Sequence, residues 1–304
     1  MNIKDMKLIR LIPARTKFNF LKLRKLGYVL SVGLVLFSTS LLVSKGFNFG
    51  IDFSGGVAMD VKKINSEINI SYLRSELSSL NPEIQEIGHS GEIFDIRIAV
   101  KEDQNPSDFV NEVKSILGEG VEYRNTEVVG PKVGGELIRK GVWAVVLSLL
   151  AISFYIWIRF DIAFSIGALT ALAHDIILTL GMFSLLQLEF SLATVAAILT
   201  IAGYSINDTV VSYDKLRENI KKHKKKSPFE LINWSLNETF SRTIMTSLTT
   251  LIAVLCIFVF GGEVLKGFSS AMLFGVVVGT YSSIFIAMPL LLNMDIKQEV
   301  LDNE

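Results

Sequence analysis

The sequence predicts a polytopic α-helical membrane protein, with six transmembrane helices and one exported α+β domain of ferredoxin-like order. Three observations carry that reading. Apolar runs of membrane length recur along a chain of 304 residues, half of them hydrophobic, which a soluble protein of this size does not show. Charge is segregated beneath a formal total of zero: residues 1–26 hold eight Lys/Arg and one acid, whereas 46–138 hold eight Lys/Arg against sixteen Asp/Glu. The third is Phe190–Tyr213, FSLATVAAILTIAGYSINDTVVSY, apolar over its first two-thirds yet carrying Asn207 and Asp208. An Asp at bilayer depth costs about 2.5–3.5 kcal/mol on insertion scales, so it turns to the bundle interior and usually serves a function.

The basic segment 1–26 reads as a cytoplasmic topology signal by the positive-inside rule. Residues 27–45 supply span 1, about Tyr28–Ser44; no small-x-small cleavage site follows, which favours an uncleaved anchor over a signal peptide. The chain then crosses to the opposite face. Phe47–Gly56, FNFGIDFSGG, alternates aromatics with small or polar residues, and Gly50, Gly55 and Gly56 permit sharp turns beside Asp52. It reads as a tight connector, since no helix with phosphate-binding spacing follows.

Residues 46–138 form the exported domain. Val57–Val61 is strand-like, and Ser71 is placed to cap a helix Tyr72–Leu80 that stops at Asn81-Pro82. Ile84–Ile87 and Ile93–Val100 flank a hairpin turn, His89-Ser90-Gly91. Ser107 is placed to open a helix Asp108–Leu117, and Val121–Val129 is the last strand. The order β-α-β-β-α-β is that of a ferredoxin-like sandwich. His89 has no second His or Cys nearby, which argues against a metal site.

Residues 139–293 hold the remaining helices. Span 2 is about Gly141–Ile158, span 3 Ile162–Leu186, span 4 the stretch ending at Tyr213, span 5 Thr243–Phe260 and span 6 Phe268–Leu292. The loop 214–241 contains the Lys-rich run 221–226 and is cytoplasmic by the same charge rule, as is the tail 294–304. The run suits anionic lipid headgroups and calls for no nucleic acid. Ser227-Pro228 begins an interfacial helix with Phe229, Ile232, Leu236 and Phe240 on one face. The single cysteine, Cys256, excludes an intrachain disulfide and reads as apolar packing.

Four ionisable groups in the spans are candidate functional residues: His174 and Asp175, Asp208, and Arg242. Asp208 lies roughly 9 Å inside the helix end near Asp214, at 1.5 Å per residue. Arg242 enters from the same side and has the reach to meet it. Ser205, Asp208 and Ser212 share a face, as do Arg242, Thr246 and Thr249. Such faces can line a proton path or fix two helices as a static ion pair. His174 and Asp175 point about 100° apart on a helix and read as accessory polar groups, making an interhelical hydrogen bond first and serving as an accessory proton relay second. Gly167, Ala168, Ala171 and Gly203 permit close helix approach. No span serine has a base and orienter, so no hydrolytic site emerges, and no cofactor or metal is called for.

Five segments together carry a family resemblance: Gly50–Gly56 (GIDFSGG), Val133–Leu137 (VGGEL), Ala173–Asp175 (AHD), Ala202–Thr209 (AGYSINDT) and Ser241–Thr243 (SRT). In this order they resemble the SecF side of the SecD/SecF family, auxiliary subunits of the bacterial Sec protein-translocation machinery within the resistance-nodulation-division superfamily. The resemblance implies an inner-membrane, non-enzymatic subunit. It implies assembly with SecD, cooperation with the SecYEG channel and its accessory subunits, contact with unfolded exported polypeptide, and use of the proton-motive force. It maps the proton-coupling pair onto Asp208 and Arg242; Ser205 and Asn207, like His174 and Asp175, are accessory polar groups within the spans. Two other classes compete: a proton-coupled exporter of small substrates from the same superfamily, and a scaffold for assembly.

Overall fold

The structure is a computed structural model describing residues 16–64, 68–80, 82–87, 92–98, 100, 105–262, 265–294, 296 and 300. The hairpin turn His89-Ser90-Gly91, most of the basic N-terminus and most of the acidic tail lie outside them. In chain order, a 3₁₀ turn at Phe20–Leu23 opens α1 (Arg24–Ser44). Next come β1 (Asn48–Phe49), α2 (Ile51–Ser54), β2 (Gly56–Lys63), α3 (Ile70–Glu76), β3 (Glu83–Ile87), β4 (Ile93–Ile98), α4 (Pro106–Leu117) and β5 (Val121–Val129). Then follow α5 (Pro131–Arg159), α6 (Ile162–Leu186), β6 (Glu189–Phe190), α7 (Leu192–Lys222), α8 (Pro228–Phe260) and α9 (Lys266–Ser282), the last running on through a π-helical turn, Ser283–Ala287. Six helices, counting Phe20–Ser44 and Lys266–Asn293 as single spans, are long and apolar enough to cross a membrane. The fold class read from the sequence therefore stands.

Two compact units divide the chain. One is built from the segments up to Gly46, Leu147–Gln187 and the chain from Ala196 on; the other from Phe47–Val146 and Leu188–Val195. The second unit holds a four-stranded sheet in the order β3-β4-β2-β5, every neighbour antiparallel. That is the ferredoxin-like arrangement. Register follows the period-2 pattern: Val57, Met59 and Val61 on β2 stand opposite Ile98, Ile96 and Phe94 on β4. These six side chains are buried in one core with Leu73 of α3, Leu77 at its C-terminal cap, and Val113 and Leu117 of α4. Sequence reading placed both helix caps two residues late. Asn69 caps α3 through Tyr72 N–H, and Asn105 caps α4 with Pro106 at the first helical position. Asn is as good a cap as Ser, and Pro at that position loses no helical hydrogen bond. Since this core closes within Val57–Val121, we expect a fragment 56–129 to melt in one cooperative transition with a mixed α/β circular dichroism spectrum.

The second unit also contains the parallel pair β1–β6, with Asn48 opposite Glu189 and Phe49 opposite Phe190. Phe47, Phe49, Phe53 and Phe190 pack as an aromatic cluster at 4.7–6.2 Å between ring centroids. The connector Gly50–Gly56 thereby gains specific partners. A Cβ at Gly50 would collide with the Glu189 carboxylate; Gly55 and Gly56 take φ of 69° and 143°, open to glycine alone without strain. Asp52 Oδ2 accepts the Leu192 N–H at 2.9 Å and so caps the start of α7. A Cβ at Gly134 would lie 2.9 Å from the Phe53 carbonyl oxygen and 3.2 Å from the Gly55 nitrogen. The two glycine motifs, about eighty residues apart, are thus one backbone-to-backbone contact. From β4, Arg97 binds Asp95 at 2.6 Å and also the Glu189 carboxylate. Burial pushes the Glu189 carboxyl above its usual range, with Arg97 beside it pulling the other way.

The first unit is a helical bundle in which α1, α6 and α9 pack closely. Gly181 abuts Ser38 and Gly275 abuts Ile201 with no room for a Cβ. Gly203, expected at a close approach, has no atom within 4 Å of a built Cβ. The largest departure from expectation is at 214–241. α7 continues to Lys222, and α8 runs unbroken from Pro228 to Phe260. A full capping box, Ser227 with Glu230, and Pro228 at the first position start α8, and no Gly or Pro interrupts it afterwards. Its first turns are not an interfacial helix: Leu231, Ile232 and Leu236 are buried with Tyr213, Leu216 and Ile220 of α7. Apolar residues on α7 past Tyr213 supply the facing surface. Cys256 is exposed on α8, not packed inside.

Candidate functional site

Two carboxylates sit within the bundle, each held by hydroxyl groups. Asp208 is on α7, part-buried. Thr243 Oγ1 on α8 donates to its Oδ1 at 2.6 Å, and Ser283 Oγ, first residue of the π-helical turn, donates to Oδ2 at 2.5 Å. The side chain therefore ties three helices together at one point. The π turn has a local cause. Pro289 has no N–H to donate and its ring crowds the carbonyl four residues back, so the helix widens just before it, and Met288 N–H bonds Ser283 O. Such turns often mark functional sites.

Asp175 on α6 is fully buried. Its Oδ2 accepts Ser205 Oγ of α7 at 2.6 Å and Ser282 Oγ of α9 at 2.7 Å, while His174 Nδ1 lies 2.9 Å from Oδ1. The interhelical hydrogen bond expected here exists, twice over. The expectation that His174 points away from Asp175 is corrected, because the His174 ring turns back onto the neighbouring carboxylate. The small residue that allows this is Gly279, where a Cβ would stand 3.2 Å from Ser205 Cβ and 3.6 Å from Asp175 Oδ2. Ser205 and Asp208 share a face of α7, and Ser282 and Ser283 are consecutive, so the two carboxylates belong to one polar seam. Tyr204 OH to Ser247 Oγ (3.0 Å) and Ser247 Oγ to Thr280 Oγ1 (2.6 Å) extend it.

Asp208 and Arg242 were expected to meet. In this structure Arg242 is exposed and makes no ion pair within 4 Å among the described residues. The direct contact falls to the next residue, Thr243. On a helix, successive side chains point about 100° apart, and α8 presents Thr243, not Arg242, to α7. Asn207 is likewise exposed. Of the hydroxyls singled out beforehand, Ser205 joins the seam, Ser212 meets Thr239 at 3.5 Å, and Thr246 and Thr249 bond carbonyls of their own helix. Ser282 and Ser283 were missed, although Thr280-Tyr281-Ser282-Ser283 is a four-residue polar run inside an apolar span and was visible as such.

Comparison with known proteins gives the family. Residues 109–297 match the family model described as "Protein export membrane protein SecD/SecF, C-terminal", and residues 40–62 match the SecD/SecF GG motif. The SecF protein translocase subunit of Rickettsia rickettsii is 43% identical over 93% of this chain and 94% of its own length. That of Haemophilus influenzae is 41% identical over 92% and 87%. The crystal structure of SecDF from Thermus thermophilus, described as a translocon-associated membrane protein, superposes with a TM-score of 0.83 at 35% identity, covering 93% of this chain and 39% of the longer SecDF chain. A super-membrane-facing form of SecDF gives 0.69 over 96% and 40%. With its six spans, its glycine connector and this overall match, the chain belongs to the SecD/SecF family as a SecF-type protein translocase subunit.

Proposed function

We propose that this chain assembles with SecD in the bacterial inner membrane and uses the proton-motive force to promote passage and release of exported polypeptides emerging from the SecYEG channel. Both termini lie in the cytoplasm and 46–138 in the periplasm, consistent with the basic N-terminal segment and the basic turn after α7. The observation that carries the reading is the setting of Asp208: a carboxylate inside a six-span bundle, held by one hydroxyl from each of two neighbouring helices.

That setting suits a titrating group. Ionised, Asp208 accepts from Thr243 and Ser283. Protonated, it becomes a donor, and Ser283 can accept because its own hydroxyl proton has a second acceptor, Thr280 O at 3.1 Å. Burial favours the neutral carboxyl and a nearby guanidinium the charged one, so motion of Arg242 toward or away from Asp208 biases uptake against release. Because Asp208 bonds α8 and the π turn of α9, each change of state alters what holds those helices to α7. The start of α7 is capped by Asp52 of the glycine connector.

Export assayed in inverted membrane vesicles tests this. Vesicles holding the chain and SecD should export faster with a proton gradient, and an ionophore should remove the increment. Equal rates with and without the gradient would leave the scaffold reading in its place.

A further inference from the structure

His174 is the buried group that this account leaves unused. It is 5% exposed, its Nδ1 meets Asp175 Oδ1 at 2.9 Å, and its Nε2 is buried with no hydrogen-bond partner among the described residues. The Asp175 carboxylate accepts Ser205 Oγ, Ser282 Oγ and the imidazole, three donors for one charge. A carboxylate so arranged fixes the tautomer with the proton on Nδ1 and leaves Nε2 as a lone-pair base, the logic by which an aspartate orients a catalytic histidine.

We propose that His174 Nε2 is a second proton-carrying site in the bundle, with Asp175 as its positioning residue. Uptake places one proton on the Nε2 lone pair, forms an N–H bond, and takes the His174–Asp175 pair from one net negative charge to none; release breaks that bond and restores the charge. Each state carries one unfavourable element. Without the proton, a buried carboxylate lacks a countercharge; with it, the new N–H has no acceptor. Neither form is locked, as a group that must load and unload requires.

The helices around His174 bring further titratable groups. Tyr281 on α9 has its ring 6.1 Å away, with its hydroxyl bonded to Ser31 and Gly27 of α1. Tyr28 on α1 has a buried hydroxyl with no hydrogen-bond partner among the described residues. Asp208 on α7 is reached through the adjacent Ser282 and Ser283. Arg24 and Lys25 begin α1, and Lys266 begins α9. A proton at His174 loosens the Asp175 grip on Ser205 and Ser282, so its state is felt at Asp208. The inference rests on the proton-coupled reading of the bundle but not on Asp208 being the coupling group.

The chain has three histidines, His89, His174 and His223. A full-length protein carrying H89N and H223N, labelled with ¹⁵N-histidine and held in lipid bilayers, reports on His174 alone. Nitrogen shifts should show the neutral Nδ1–H tautomer at alkaline pH and full imidazolium as the pH falls while the protein stays folded. Asp175→Asn should mix the tautomers, and D208N should displace the titration. H174Q should cut gradient-stimulated export at least tenfold. A ring that stays neutral throughout, a resting Nε2–H tautomer, or wild-type stimulated export by H174Q overturns the proposal. If D208N exports normally while His174 titrates and H174Q fails, the Asp208 assignment falls and this one stands.

Discussion

Asp208→Asn abolishes the gradient-dependent increment of export while leaving assembly with SecD intact. Asparagine keeps the size of the side chain; its Oδ1 can accept from one of Thr243 and Ser283 while its Nδ2 donates to the other, in place of the 2.6 and 2.5 Å bonds that both hydroxyls donate to Asp208. What it lacks is a proton to gain and lose. The substitution therefore separates charge from packing, and a purely structural Asp208 would tolerate it. The expected effect on the increment is complete loss, read as vesicle export with and without a gradient. Arg242→Lys in the same assay tells whether position 242 supplies only positive charge, in which case part of the increment survives. If the planar fork of arginine must engage the carboxylate at another stage of the cycle, the increment is lost entirely. Because Arg242 is exposed and forms no ion pair among the described residues, Arg242→Lys is expected to change the thermal stability of the bundle by no more than about a few tenths of a kcal/mol.

The second large effect falls at Gly134. A Cβ there would stand 2.9 Å from the Phe53 carbonyl oxygen and 3.2 Å from the Gly55 nitrogen. Both neighbours are backbone, and Gly55 sits at a φ of 69° that leaves it little freedom to retreat. Gly134→Val therefore separates the start of α5 from the glycine connector. By the usual cost of overpacking, it destabilises this contact by about 1–3 kcal/mol. The Asp52 cap on α7 depends on the same connector, so export should fall together with stability. Melting in detergent, compared with Gly135→Ala, supplies the control: nothing lies within 4 Å of a Cβ at Gly135. Equal melting temperatures for Gly134→Val and wild type would show that the contact is not needed.

Membrane spans and the sheet order were legible because their signals are long and periodic. Val57, Met59 and Val61 alternate inward along β2 and find Ile98, Ile96 and Phe94 opposite them, as a period-2 pattern demands. The cap positions and the 214–241 segment were not legible to the same degree. Charge marks the side of a membrane, but it does not end a helix, so Asp214 and Lys215 stay helical in α7. The same limit operates in the site. Asp175, Asp208 and Ser205 stand out as polar groups in apolar runs, and they do lie in the seam. Whether Arg242 or Thr243 faces α7 depends on the rotation of α8, which is set by the packing of Leu231, Ile232 and Leu236 many residues away. Local sequence around Arg242 does not contain that information. The π turn at Ser283 was obscured for a related reason: Pro289 announces a disturbance, but not that it widens the helix a turn earlier and aims Ser283 at Asp208.

The central claim, that Asp208 gains and loses a proton, is tested most directly by infrared difference spectroscopy of the complex in lipid, recorded as the pH is lowered. The account predicts a protonated-carboxyl C=O stretch that grows on acidification, is missing from the Asp208→Asn protein, and persists in Arg242→Lys with its midpoint moved. Identical carboxyl bands in wild type and Asp208→Asn over the range in which the gradient drives export would contradict it.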